Sequence, residues 1–133
     1  MVKQQFSLLV VDDNEMNRDM LSRRLKRQGY QVAIARDGRQ ALAMLESQAF
    51  DLVLLDIMMP ELNGYEVLEY MKANDTLRHI PVIMTSALDE MDGIERCIEM
   101  GAENYLTKPF NHMLLKTRVS ACLEKRQPRH SQE

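Results

Sequence analysis

Nothing in this sequence is both long and apolar: no hydrophobic run approaches the ~20 residues that span a bilayer, so a membrane-spanning chain is not expected. Met1-Val2-Lys3-Gln4-Gln5 leads directly into an apolar segment and leaves no room for a signal-peptide core, which points to the cytoplasm. Cysteine is scarce. Cys97 and Cys122 each stand alone in a helical pattern without metal-ligand spacing, and both read as packing residues of a reducing compartment. His79, His112 and His130 likewise lack partners at ligand spacing. Positive charge is not in excess either: 17 Lys and Arg against 20 Asp and Glu give a net charge of −3, which offers no electrostatic footprint for nucleic acid. The one basic run, Arg23, Arg24, Lys26 and Arg27, reads as a solvated helix face. Internal repeats are missing as well.

What is present is an ordinary soluble mixture, 45% hydrophobic and 28% charged, in 133 residues, the length of one domain. Short apolar runs (Phe6 to Val11, Val32 to Ala35, Leu52 to Leu55, Val82 to Met84, Asn104 to Thr107) alternate with amphipathic stretches. That alternation predicts an α/β fold with parallel strands covered by helices on both faces. Helical spacing is seen in Met16, Met20, Leu21 and Leu25, in Ala41, Leu42 and Leu45, in Val67, Leu68 and Met71, and in Leu114, Leu115, Val119, Cys122 and Leu123. The punctuation agrees: Gly29 and Gly101 fit left-handed helix ends, Asp37 and Asp89 fit N-caps, and Pro81 precedes the fourth strand. The eleven methionines read mostly as core, with Met91 and Met100 available to the fourth-helix surface. Residues 1–127 are expected to form the domain, and 128–133 a polar tail or linker stub.

Chemistry concentrates where the strands end. Open α/β sheets carry their sites at the carboxyl edge of the strands, and four of the five runs finish there in something reactive: Asp12-Asp13, Asp56, Ser86 and Lys108. Taken singly, Asp12 or Asp13 could be a helix N-cap, Ser86 a turn residue and Lys108 a surface charge. Their recurrence at one edge favours a site. Three carboxylates in one pocket repel, and hard oxygen ligands of this kind suit Mg²⁺, which would leave Asp56 an oxygen with which to act as a nucleophile. Lys108 and the Ser86 hydroxyl would then meet incoming phosphoryl oxygens.

The segments Leu8 to Asn14, Asp56 to Gly64 and Tyr105 to Phe110, with Ser86-Ala87 between the last two, resemble the three signatures of response-regulator receiver domains. The likeness runs from Ser7 to about Lys125. It implies a (βα)₅ doubly wound, flavodoxin-like sheet of five parallel strands in the order 2-1-3-4-5. It also implies Asp56 as phosphoacceptor, Asp12 and Asp13 as the metal-side acidic pair and Met58 as the donor of a backbone carbonyl to Mg²⁺. Ser86 resembles the switch hydroxyl with Ala87 beside it, Tyr105 the switch aromatic, Lys108 the phosphate-binding lysine, and Lys108-Pro109 a cis peptide. The partners implied are a sensor histidine kinase or histidine phosphotransfer protein, a C-terminal output domain, and a second copy bound through helix 4, strand 5 and helix 5. Such a module catalyses only its own phosphorylation and dephosphorylation. The family also supplies receiver modules of hybrid kinases and phosphorelays, and regulatory domains of larger signalling enzymes such as nucleotide cyclases.

Two departures are mild: Leu62 stands where the family often has Met, and Met58 brings no polar side chain to the pocket. Other classes fit less well. A flavodoxin-like cofactor binder would need a phosphate cradle where Asp12-Asp13 stands, and an aspartyl-phosphate hydrolase would want a carboxylate at Met58. A partner-binding domain that had lost phosphorylation would lack one of the acids or the lysine. Apolar Met58 and Leu88 should keep water from the acyl phosphate while small Ala87 leaves its entry open, so a long-lived phosphorylated state is expected.

Overall fold

The alternation resolves, in a computed structural model that describes residues 5–87, 91–124 and 126, into five strands and five helices. They are β1 (Ser7–Val11), α1 (Glu15–Arg27), β2 (Gln31–Ala35), α2 (Gly38–Ser47), β3 (Leu52–Asp56), α3 (Gly64–Ala73), β4 (Val82–Ala87), α4 (Met91–Glu99), β5 (Asn104–Lys108) and α5 (His112–Leu123). All strand pairs are parallel, and the order is β2-β1-β3-β4-β5, as the resemblance implied.

Parallel strands cannot be joined by tight hairpins, so each connection crosses a face of the sheet through a helix. Side-chain alternation then produces two cores. Leu9, Val11, Val53, Leu55, Val82 and Met84 pack toward Ala41, Leu45, Val67, Leu68, Met71 and Cys97 of α2, α3 and α4. Their neighbours Leu8, Val10, Leu52, Leu54, Ile83 and Leu106 pack toward Leu21, Leu25, Leu115 and Val119 of α1 and α5. Every residue of β3 is buried. Asp56 therefore hangs from the end of a strand sealed on both sides.

The helix ends are set by local chemistry. Asp37 caps α2 by accepting from the Gln40 amide at 2.8 Å, and Gly29 and Gly101 take φ of 99° and 112°, where a side chain is strained. The cap of α1 is Asn14, whose side chain accepts from the Asn17 amide at 2.9 Å, so the alternative reading of Asp12 or Asp13 as its cap falls away. Met16 and Leu114 share the helical spacing of their segments yet are 80% and 38% exposed, because the first turn of each helix begins at the sheet's carboxyl edge, with no strand beneath it. Met100 packs half-buried against the first core, whereas Met16, Met58 and Met113 face solvent. Helices cover the inner strands more completely than the edge strand β2, where Ile34 is exposed. Leu88, Asp89, Lys125, the tail 128–133 and the side chain of Met91 lie outside the described residues.

Candidate functional site

The sheet brings Asp12, Asp13, Asp56 and Lys108 together at one edge, where their places at strand ends put them. Asp12 follows β1 directly; its amide still donates to the Ala35 carbonyl at 3.2 Å, so the residue is fixed by the sheet before its side chain is considered. That side chain is buried and held from α1. Asp12 Oδ1 accepts from the Asn14 amide at 2.8 Å, Oδ2 lies 3.4 Å from Asn17 Nδ2, and the Arg18 guanidinium donates to the Asp12 carbonyl at 2.8 Å. Asp13 is exposed.

Asp56 is the last residue of β3 and is 2% exposed. Lys108, at the end of β5, reaches across the edge and places Nζ 3.2 Å from Asp56 Oδ1 and 3.3 Å from Asp12 Oδ2. Its peptide to Pro109 is cis. Carboxylate oxygens of Asp12, Asp13 and Asp56 come within 4.8 Å of one another. Asp56 Oδ2 is buried and has no hydrogen-bond partner among the described residues. Burial pushes the Asp56 carboxyl up to about 7; Asp12 adds to the rise, Lys108 opposes it by charge and hydrogen bond, and Asp13 adds a smaller upward push. For Lys108, burial pulls the ammonium down but the charges of Asp56 and Asp12 outweigh it, so the net shift is upward.

The loop after Asp56 is folded back on the acceptor. Glu61 takes φ of 66°, and Asn63 and Glu66 form a reciprocal capping box at 3.0 and 2.9 Å that starts α3. The Gly64 amide then donates to the Ile57 carbonyl at 2.8 Å. A Cβ on Gly64 would lie 2.3 Å from the Asp56 carbonyl oxygen, so only glycine lets α3 begin here. Ile57 and Met59 turn into the core while Met58 between them is 59% exposed, so Met58 is not packed over the pocket as a plug.

Ser86 lies within β4, fully buried, and its hydroxyl donates to the Ala87 carbonyl at 3.3 Å. Tyr105 is half-buried on β5 with the Arg118 guanidinium 5.4 Å above its ring, within cation–π range. Sequence reasoning missed Arg118 and the Asn17 and Arg18 supports of Asp12. Each lies on the helix that follows its strand, Asn17 and Arg18 about one turn and Arg118 about two turns past the N-cap, and no motif spacing flags it.

Chemically, the pocket sets three carboxyl groups against one ammonium, an excess of acidic oxygen that suits a divalent cation. The orphaned Asp56 Oδ2 gives such an ion, or an electrophile, an atom to meet.

Comparison with known proteins agrees. The family model "Response regulator receiver domain" matches residues 8–120. The response regulator PleD of Caulobacter vibrioides is 42% identical over 112 residues, which is 84% of this chain and 25% of PleD. The alkaline phosphatase synthesis transcriptional regulatory protein PhoP of Bacillus subtilis is 38% identical over 118 residues, 89% of this chain and 48% of PhoP. The chain thus spans between a quarter and a half of these curated relatives. The signal receiver domain of a signal transduction histidine kinase from Syntrophus aciditrophicus superposes with a TM-score of 0.84 at 32% identity, covering 93% of this chain and 96% of that one. Among the described residues no helix is long and apolar enough to cross a membrane. In motifs, sheet order and acidic pocket alike, the chain belongs to the response regulator receiver domains of two-component signalling.

Proposed function

We propose that Asp56 accepts a phosphoryl group from the phosphohistidine of a sensor histidine kinase or a histidine phosphotransfer protein. The observation that carries this reading is the asymmetry of one carboxylate: Asp56 Oδ1 is tethered by Lys108, whereas Oδ2 is buried without a partner. In the transfer an Asp56 oxygen bonds to phosphorus, the phosphorus–nitrogen bond to the donor imidazole breaks, and the imidazole takes up a proton. Asp12, Asp13, Asp56 and the Met58 carbonyl would hold Mg²⁺, which supplies neutralisation of the phosphoryl oxygens when bound. Lys108 screens those oxygens, and the buried site strengthens that interaction by excluding water.

Phosphorylation adds roughly −1.5 to −2 charge with strong acceptor oxygens. The Ser86 hydroxyl leaves the Ala87 carbonyl for them, Tyr105 turns inward behind it, and the surface of α4, β5 and α5 is remodelled for a partner or a second copy. The balance between the two packings shifts only by their differential contacts with the phosphoryl group. Cytoplasmic operation and regulation of an attached output domain fit the match to only part of PleD and PhoP. The likeness to a receiver within a histidine kinase supports a second reading, a module of a hybrid kinase.

The test is Asp56→Asn, which preserves volume but removes the nucleophilic carboxylate. Incubated with acetyl phosphate and Mg²⁺, the native chain should gain one phosphoryl group by intact mass and the variant none; equal labelling of the variant would disprove the assignment.

A further inference from the structure

Among the described helices α4 is the shortest. It has nine residues, fewer than the ~12–15 that an isolated helix needs, and Gly93 stands in its first turn. Among its residues with described side chains only Cys97 is fully buried.

The space beside Gly93 is occupied. A Cβ there would lie 2.1 Å from the hydroxyl oxygen of Tyr65 and 3.8 Å from Ile57 Cδ1. One turn further on, Arg96 sets its guanidinium 4.4 Å from the centroid of the same ring, a closer cation–π pair than Arg118 makes with Tyr105. The tyrosine ring is therefore seated on the bare backbone of α4 and covered by a side chain of that helix. Tyr65 in turn is the second residue of α3, directly after Gly64, which has no clearance from the Asp56 carbonyl. An unbroken line of contact runs from the acceptor's backbone through Gly64 and Tyr65 to α4.

We propose that Tyr65, seated on Gly93 and covered by Arg96, is a latch that holds α4 against α3 and is loosened when Asp56 is phosphorylated. It is a second line of coupling beside Ser86 and Tyr105, and it rests on the reading of Asp56 as acceptor. Packed contacts of this kind have discrete arrangements, so a small displacement of the Asp56–Gly64 junction is passed on as seating or unseating of the ring. α4 is the element that the ring and the arginine tie to α3, so it is the helix that unseating of the ring would release.

Cys97 reports the latch, because its thiol is fully buried and becomes accessible when α4 lifts. The experiment uses the full chain with Cys122→Ser, leaving one thiol, and follows maleimide labelling by intact mass with and without acetyl phosphate and Mg²⁺. Without donor, Tyr65→Leu should label on the order of tenfold faster than the parent, given the usual strength of ring and cation contacts. Tyr65→Phe, which keeps the ring under Arg96, should stay within about twofold of the parent. Phosphorylation should bring the parent close to the rate of Tyr65→Leu and add little to that variant. Gly93→Ala, which leaves Tyr65 in place chemically but forces its ring off the helix, should behave like Tyr65→Leu, and the double variant like either single. Gly93→Ala and Arg96→Gln carry the test if Tyr65→Leu does not fold. Equal labelling of parent and latch variants, or the same acceleration of both by phosphorylation, would overturn the proposal. The phosphoryl increment in the same spectra separates the two readings: its absence from the parent sinks the acceptor assignment, while its presence with unchanged labelling sinks the latch.

Discussion

Replacing Gly64 with alanine tests how the acceptor is positioned. The added methyl would meet the Asp56 carbonyl oxygen at 2.3 Å, Ile57 Cα at 2.7 Å and the Asp56 carbonyl carbon at 3.0 Å. All three are backbone atoms, so no side chain can rotate away, and the first contact falls about 1 Å short of ordinary van der Waals separation. Overfilling of this kind costs about 1–3 kcal/mol, and a displacement of about 1 Å at a reacting group costs roughly a hundredfold in rate. Gly38→Ala is the control. Its Cβ would strike the Leu62 carbonyl at 2.5 Å, at the far end of the same loop, so it should lose comparable stability but keep most of the phosphorylation rate. Urea denaturation gives the first quantity, and the rate of phosphoryl incorporation from acetyl phosphate gives the second. Gly64→Ala phosphorylated at the native rate with an unchanged urea midpoint would refute the reasoning. Equal loss of rate in both variants would show that loop stability, and not acceptor position, is what matters.

Three further expectations follow from the pocket and the cores. Asp13→Asn should weaken Mg²⁺ binding and slow phosphoryl transfer, since one hard anionic ligand leaves the cluster; identical Mg²⁺ titrations of variant and parent would count against it. Met58→Asn should shorten the acyl-phosphate lifetime about tenfold, or roughly 1.4 kcal/mol of barrier, by holding a water near the phosphorus. Because Met58 is already exposed, an unchanged decay would show that water access is governed elsewhere. Burial raises the Cys97 thiol from 9.0 to about 11, outweighing the opposite pull of Arg96. The folded protein thus disfavours the thiolate: its contribution to stability is whole below about pH 9 and is lost as pH climbs toward 11, so unfolding midpoints should fall across that window and fall less in Cys97→Ala.

Much of this was legible because the fold's main signals are local or periodic. Alternating apolar runs marked all five strands, and Asp12, Asp56 and Lys108 met because strand-end residues of a parallel sheet share one edge. Met16 was misplaced because periodicity records which side of a helix is apolar but not how far the helix overhangs its sheet. Asn14 was passed over as a cap because two acids precede it and any of the three residues could accept a backbone hydrogen bond. Arg118 above Tyr105 and Tyr65 against Gly93 join residues of different elements, and their spacing in sequence carries no trace of that meeting.

The two contacts of Lys108 have a thermodynamic consequence. With Nζ shared between Asp12 and Asp56, the resting pocket carries its own counter-ion, which offsets part of the repulsion between its buried carboxylates before a ligand arrives. Any cation that takes those oxygens must compete with the lysine, and by reciprocity whatever draws the lysine aside must tighten the cation. An incoming phosphoryl group, on the proposed function, would do the drawing. Metal and phosphoryl donor would then bind with positive cooperativity through a single mobile charge, and the domain would hold Mg²⁺ loosely until there is something to transfer.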